Sequence, residues 1–181
     1  PSGSGGVVGL PAMTGDYTSE SAGVAYHENM WSANGKVELR NSSLSQQKNL
    51  LLGTQRSLDE GRIMGLSFAM RNATTGATIT NSSDLRASYA YRPNDSEWVW
   101  LNRTDYITQF TQTGASLQRG KKLVDNSNLN WMPNNHTQIS LQYGAKYVLD
   151  NIDGIDYKGY TDLMGVEGRY DITQDWDIGS F

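Results

Sequence analysis

The sequence predicts an all-β fold, an antiparallel up-and-down transmembrane β-barrel of which about nine or ten strands are present. Three observations predict it. Segments of roughly ten to twelve residues alternate apolar with polar side chains, short turns separate them, and tryptophan lies beside four of the five tightest turns. Tryptophans gathered at one level of a strand array are typical of a membrane interface.

Composition agrees with a barrel better than with a protein that has a large apolar core. Hydrophobic residues make up 37% of the 181 residues, and a barrel needs apolar side chains only at alternate strand positions. No apolar run approaches the roughly 20 residues of a membrane helix. The net charge of −4 comes from interspersed charges, which argues against a nucleic-acid partner. The absence of cysteine excludes disulfides and thiolate metal sites.

Strand-like segments follow one another along the chain without a convincing helical period. The Gly/Ser-rich residues 1–20 are interpreted as a linker or loop, and residues 21–181 as an incomplete barrel segment. Strands are expected near 21–29, 35–42, 47–56, 62–72, 82–92, 97–109, 121–131, 136–148 and 159–172, with a tenth beginning at about Trp176.

The connections are expected to alternate between short and long. Tight turns are predicted around 30–34, 58–61, 93–96, 133–135 and 173–175, where Asn-Gly, Asp-Glu-Gly and Pro-Asn sequences occur. Longer connections are predicted at 73–81, 111–120 and 150–158, and a short polar one at 43–46. Bacterial barrels have short periplasmic turns and longer extracellular loops, so the tryptophans would mark the periplasmic rim.

Strand parity predicts which side chains contact lipid. In the segment 62–71, Met64, Leu66, Phe68 and Met70 alternate with smaller or polar residues, and Ile139, Leu141 and Tyr143 do so in 136–148. A half-exposed soluble sheet would show the same alternation. Strands averaging more than about ten residues favour the barrel, because sandwich strands are usually nearer five or six.

Aromatic residues are expected to form two interface belts. The first belt contains the tryptophans Trp31, Trp98, Trp100, Trp131 and Trp176. The second belt contains the tyrosines Tyr106, Tyr147, Tyr157 and Tyr160.

Charged residues at alternate positions are expected to line the lumen. The residues concerned are Lys36, Glu38, Arg40, Asp84, Arg86, Arg92, Arg103, Asp105, Lys146, Glu167, Arg169 and Asp171. Most of them are expected simply to pair across neighbouring strands in a wet interior. Arg103 with Asp105, and Glu167 with Arg169 and Asp171, are the best candidates for a selectivity lining, because each group repeats charge at period two.

The two ends of the sequence predict that further strands exist. Single-chain barrels start and finish in the periplasm, so at least one strand is expected before residue 21. Phe181 does not match a terminal barrel-assembly signal, since Gly179, Asp177 and Asp175 stand where apolar residues belong. The chain is therefore interpreted as an internal part of a larger barrel.

The segments DLRASYAYRPNDSEWVWLNRTDY (84–106), ISLQYGAKYVLD (139–150) and DLMGVEGRYDITQDWDIG (162–179) resemble the C-terminal barrel of large bacterial surface proteins that carry extracellular repeats. The shared motif consists of Tyr91-Arg92-Pro93, then Trp98, then Arg103-Thr104-Asp105-Tyr106. The resemblance as a pattern covers about residues 21–179. The expected closing strands are missing. The resemblance implies an outer-membrane anchor or pore and says little about chemistry.

No catalytic, metal or cofactor site is predicted. His27 and His136 are the only histidines. His27 has no obvious orienting partner, because Glu28 lies on the opposite face, and His136 is expected to be a solvated residue of a turn. No Gly-x-Ser-x-Gly motif occurs. The expected function is a passive channel, or an anchor or export pore for a surface-exposed region, in a bacterial outer membrane. The expected partners are outer-membrane lipid and further strands or an upstream region of the same protein. The alternative is a soluble all-β adhesin or carbohydrate-binding module.

Overall fold

Ten antiparallel strands form a single sheet in the computed structural model, which describes residues 17–172 and 176–180. The strands are β1 (Tyr17–Glu28), β2 (Trp31–Ser42), β3 (Ser45–Asp59), β4 (Arg62–Thr75), β5 (Thr78–Tyr91), β6 (Trp98–Thr113), β7 (Ser116–Asn134), β8 (Thr137–Ile152), β9 (Ile155–Asp171) and β10 (Asp177–Ser180). This confirms the predicted all-β, antiparallel, up-and-down architecture.

Each strand pairs with its neighbours in sequence, in the order β1 to β10. Within the described ranges β1 pairs only with β2 and β10 only with β9, so the sheet is open. The same ranges contain no helix that is long and apolar enough to cross a bilayer.

The predicted alternation of short and long connections is wrong. Seven of the eight connections that lie wholly within the described residues have two residues each, and the eighth, 92–97, has six. The strands continue through most of 73–81, 111–120 and 150–158 and end in tight hairpins. The longest connection lies at the tryptophan end, so loop length does not assign that end to the periplasm.

Left-handed backbone conformations make these hairpins possible. Asp153 and Gly154 have φ values of 50° and 87°, the pair of positive values that a type I′ turn requires. Gly76 and Gly114 also have positive φ values, of 56° and 58°. Turns of this kind match the right-handed twist of the strands they join.

Several strand ends differ from the sequence prediction. β1 begins at Tyr17, so residues 17–20 lie in the sheet and not in a linker. Trp31 is the first residue of β2, because the turn before it occupies only residues 29–30. Residues 1–16, the expected turn at 173–175 and Phe181 lie outside the described residues.

The sheet has two chemically different faces, because residues paired across neighbouring strands point to the same side. Met64, Tyr89, Asn102 and Ser127 are paired in one row, and their side is here called the apolar face. Ser67, Arg86, Asp105 and Val124 form a row on the other side, the polar face. No hydrophobic side chain is buried among the described residues, so neither face of the sheet covers a core.

Candidate functional site

The charged residues predicted to line a lumen lie on the polar face, with one exception. Lys36, Glu38, Arg40, Asp84, Arg86, Arg103, Asp105, Lys146, Glu167, Arg169 and Asp171 share that face by register. Arg92 follows the last residue of β5 and belongs to the connection, where its backbone N–H donates to the carbonyl of Gly61 at 2.6 Å.

Asp105 is the centre of the densest charge cluster on this face. It is 3% exposed, and its two carboxylate oxygens accept from Arg86 Nε at 2.5 Å and from Arg103 Nε at 2.8 Å. Arg86 Nη2 also lies 3.4 Å from an oxygen of Asp84. One carboxylate therefore separates two guanidinium groups that would otherwise repel each other, and Asp105 is in direct register with Arg86 on the adjacent strand.

Two further clusters on the polar face pair opposite charges, one within β2 and one between β9 and β10. In β2, Glu38 lies between Lys36 and Arg40, with ion pairs of 3.7 Å and 2.5 Å. At the tryptophan end, Arg169 Nε lies 3.0 Å from oxygens of both Asp171 and Asp177. Glu167 lies on the same face and is paired with Ser140 of β8. Charged residues two positions apart in the same strand thus form more ion pairs than charged residues on neighbouring strands do.

The structure also shows polar-face cations that take no part in these clusters. Lys122 and Lys146 lie on neighbouring strands one step apart in register, and within the described residues neither has a carboxylate oxygen within 4.0 Å. The polar face of the described sheet therefore combines ion-paired clusters with charged side chains that form no ion pair.

The tryptophans lie together at one end of the sheet. Trp98 is paired with Trp131, Trp100 with Leu129, and Trp31 with Arg56, and all of these residues lie on the apolar face. The Trp98 and Trp131 rings are stacked, with centroids 5.5 Å apart and planes 16° apart. Trp176 lies immediately before β10 at the same end and is exposed.

Three of the four tyrosines expected to form the second belt lie on the apolar face. Tyr106, Tyr147 and Tyr160 lie in one row across β6 to β9, with Leu123 between the first two. Tyr157 is paired with Asp150 and lies on the polar face, so its assignment to this belt is wrong. An odd separation of three residues places Tyr157 and Tyr160 on opposite sides of a strand.

The residues predicted to face lipid share the apolar face. Met64, Leu66, Phe68 and Met70 of β4 lie on it, as do Ile139, Leu141 and Tyr143 of β8. Leu66 is 49% exposed and Leu141 is 44% exposed, and nothing in the described chain covers them.

A polar cluster on the apolar face was missed by the sequence reasoning. Asp125 of β7 accepts from Thr104 Oγ1 at 2.6 Å and from Asn102 Nδ2 at 3.2 Å, both on β6. Beside it, Trp100 Nε1 donates to Ser127 Oγ at 2.8 Å. The signal was available: Asn102 and Thr104 share parity with Trp98 and Tyr106, so they had to lie on the same face.

The described residues contain no cluster of side chains arranged to bind a metal ion. No group of three His, Asp or Glu side chains in 17–172 and 176–180 is arranged to hold a metal ion. His136 lies in the β7–β8 turn with Nδ1 3.1 Å from the carbonyl oxygen of Asp171. The sheet therefore has one charged face, which is suited to contact with water, and one apolar face.

Comparison with known proteins adds no assignment. No protein-family model matches the sequence, and no curated protein matches it either.

Proposed function

We propose that the chain forms part of a membrane-spanning β-barrel in a bacterial outer membrane, with the polar face lining a water-filled lumen. Its role would be that of a passive channel, or of an anchor or export pore for a surface-exposed region. Lipid would be the partner of the apolar face, further strands would complete the barrel, and an upstream surface region of the same protein would be the part that the barrel anchors or exports.

One observation carries this proposal: the apolar face has a band of apolar side chains with polar side chains beyond it. In β4 the apolar residues run from Met64 to Met70 and are followed by Asn72 and Thr74 on the same face. In β8 they run from Ile139 to Leu149 and are followed by Asn151. In β2 they run from Trp31 to Leu39 before Asn41. These residues are here called the apolar band.

The height of the apolar band suits a bilayer. Trp98 and Tyr106 are eight residues apart on β6, which is about 27 Å along a strand at roughly 3.4 Å per residue. A tilt of about 40°, usual for membrane barrels, reduces this to about 21 Å, close to the roughly 25 Å of an outer-membrane apolar belt. The aromatic residues at both limits are those that favour the interface.

Several polar residues inside the band have local partners. Asn102 and Thr104 donate to Asp125, and Trp100 donates to Ser127, so these groups are hydrogen-bonded to the sheet itself. Other carboxylates also share the apolar face: Asp162 of β9 is opposite Ala145, and Glu20 and Glu28 of β1 are opposite Leu39 and Trp31. Satisfying polar groups within the protein lowers the cost of removing them from water.

The absence of a core among the described residues is what a barrel wall requires and what a soluble sheet cannot tolerate. Exposed apolar side chains extend over most of the sheet, whereas soluble monomers rarely expose apolar patches larger than a few hundred Å². Lipid on one side and closure of the sheet would remove both the exposed patch and the unpaired edges.

A single-cysteine scan of β4 tests the membrane assignment, and the native chain contributes no background thiol. Cysteines at Leu66, Phe68 and Met70 should react with a lipid-phase probe, and cysteines at Ser67 and Ala69 with a water-soluble one. Gly65 is a poor position, because a Cβ there would lie 2.6 Å from Ser88 Oγ. If no position in β4 contacts lipid, the face is covered by protein and the soluble binding module becomes the better explanation.

A measurement of ion conductance across a planar bilayer distinguishes a channel function from an anchor function. The protein reconstituted into a planar bilayer should show steady ohmic steps if the lumen is open. Silent bilayers, together with a positive lipid-contact scan, would identify an anchor with a closed interior.

A further inference from the structure

A groove of about 790 Å³ lies at the end of the sheet opposite the tryptophans. Apolar-band residues Met70 and Tyr147, with Phe110 just beyond the band, form one part of its wall. Arg119, Lys121 and Lys158 lie beyond the tyrosine row and line the same groove on the apolar face. The groove therefore spans the boundary at which the apolar band ends.

The three cations of this groove are neighbours in the sheet register, and none of them forms an ion pair among the described residues. Arg119 and Lys121 are two residues apart on β7, and Lys158 lies in the row of Lys121, with Leu149 between them. All three are exposed. Within the described residues none has a carboxylate oxygen within 4.0 Å.

The acidic residues of the groove form no ion pair with this triad among the described residues, which leaves an excess of positive charge on the apolar face of the groove. Asp156 lies on that face in the row of Arg119 and accepts from Asn151 Nδ2 at 2.6 Å. Asp150 is paired with Gly120 and Tyr157, so it lies on the polar face. The Arg119 guanidinium carbon is 5.9 Å from the centroid of the Phe110 ring, which holds the guanidinium against the sheet.

We infer that Arg119, Lys121 and Lys158 bind the phosphate of an anionic phospholipid headgroup at the edge of the apolar band. This rests on the proposed membrane function, because only a bilayer around the apolar face places headgroups at this level. Cations next to a membrane attract anionic lipids, and arginine can contact two phosphate oxygens at once. Asn72 and Asn81, which also line the groove, supply neutral donors for the rest of the headgroup.

The test compares two lipids with the same acyl chains. The protein in detergent micelles receives equal amounts of dioleoylphosphatidylglycerol and dioleoylphosphatidylcholine, and native mass spectrometry counts the lipid that each protein ion retains. We expect the wild type to retain phosphatidylglycerol about tenfold in excess. The variant R119Q/K121Q/K158Q should retain the two lipids equally.

A matched variant controls for net charge. R71Q/K122Q/K146Q removes the same three positive charges from the polar face, and it should keep the wild-type preference. Far-ultraviolet circular dichroism of each variant checks that the sheet has formed. A loss of preference in the control as well as in the groove variant would show a generic charge effect and overturn the assignment.

Three other outcomes of these measurements distinguish failure of the headgroup site from failure of the proposed membrane function. Equal retention of both lipids by the wild type overturns the headgroup site and leaves the membrane function standing. Binding of inorganic phosphate as tight as that of phosphatidylglycerol, with displacement of the lipid, identifies free phosphate as the ligand and overturns the lipid assignment. A chain that stays dispersed in water without detergent and retains neither lipid contradicts the proposed function itself.

Discussion

Arg86 of β5 and Asp105 of β6 are directly paired in the sheet register and joined by a hydrogen bond of 2.5 Å, while Arg103 Nε approaches the other carboxylate oxygen from within β6. Asp105 is thus the shared acceptor of two arginines. The carboxylate is almost fully shielded, whereas the two arginine side chains remain 38% and 51% exposed.

Replacing Asp105 with Asn should lower the free energy of unfolding by about 1–3 kcal/mol, because charged hydrogen bonds are lost and two guanidinium groups are left facing each other. The measurement is the urea midpoint of the purified protein. Asp171→Asn is the control, since Asp171 is more exposed and its ion pair with Arg169 should be worth less than about 1 kcal/mol. An equal decrease in the free energy of unfolding of the two variants would mean that the position of Asp105 between two arginines adds no stability.

Gly61→Ala should destabilise the protein more than Gly76→Ala. Both glycines have positive φ, of 73° and 56°, so each substitution carries a left-handed backbone cost of about 1–2 kcal/mol. At Gly61 the added Cβ would also collide with the backbone between Arg92 and Pro93, whereas nothing lies within 4 Å of a Cβ at Gly76. Thermal unfolding of the two variants gives the comparison, and equal melting temperatures would contradict it.

Leu66→Arg should prevent stable membrane insertion, because an arginine near the bilayer midplane on a lipid-facing strand costs about 2–4 kcal/mol. Ala69→Arg is the matched control in the same strand. Ala69 is paired with Asp84 on the polar face, so the new guanidinium would lie near a carboxylate with a buried oxygen that has no hydrogen-bond partner among the described residues. Heat-modifiable migration in detergent gels after refolding into vesicles reports folding, and equal failure of both variants would argue against a lipid-facing Leu66.

Trp98 and Trp131 should be energetically coupled. A double-mutant cycle with Trp98→Leu and Trp131→Leu should give an interaction energy of about 0.5–1.5 kcal/mol, the usual value for aromatic pairs at this spacing. Trp31→Leu combined with Trp131→Leu should be additive, since Trp31 is several strands away from Trp131. Additivity in both cycles would mean that the ring stacking adds nothing beyond burial.

Arg103→Glu should shift the reversal potential of reconstituted channels toward cations, because it replaces a positive charge with a negative one on the polar face. Folding should survive, since Arg86 still pairs with Asp105. Arg56→Glu makes the same charge change on the apolar face, where Arg56 lies 4.9 Å from the Trp31 ring, and it should leave selectivity unchanged. Identical reversal potentials for wild type and Arg103→Glu would exclude Arg103 from the ion path.

The sequence predicted strands well where one face is apolar and poorly where both faces are polar. Apolar alternation identifies β4 between Met64 and Met70, but beyond the apolar band that signal disappears. The residues around 73–81 were therefore interpreted as a long loop. In the structure β-branched threonines extend the ladder there, as in the hydroxyl contacts of Thr78 with Thr113 at 3.1 Å and of Ser45 with Thr75 at 3.0 Å.

The sequence predicts on which face of the sheet the charged side chains lie, but it does not predict which of them contact one another. Alternation correctly placed Arg103 and Asp105 on one face, because the side-chain period of a strand is two. The burial of Asp105 and its hydrogen bond with Arg86 depend on the cross-strand register, which is set by the turn between the strands. The expected turn at 93–96 is really a six-residue connection, so the register could not be derived from the sequence.

The strictly sequential pairing of strands has a consequence for how such a sheet can change over evolutionary time. Among the described residues, each strand is hydrogen-bonded only to its neighbours in sequence, and most hairpins close in two residues. Removing β5 and β6 together would bring β4 beside β7 with the antiparallel directions still correct, and duplicating a hairpin would preserve them equally well. The hairpin is therefore the natural unit of gain and loss in this architecture, and the number of strands in the sheet can change by two without altering the path of the rest of the chain.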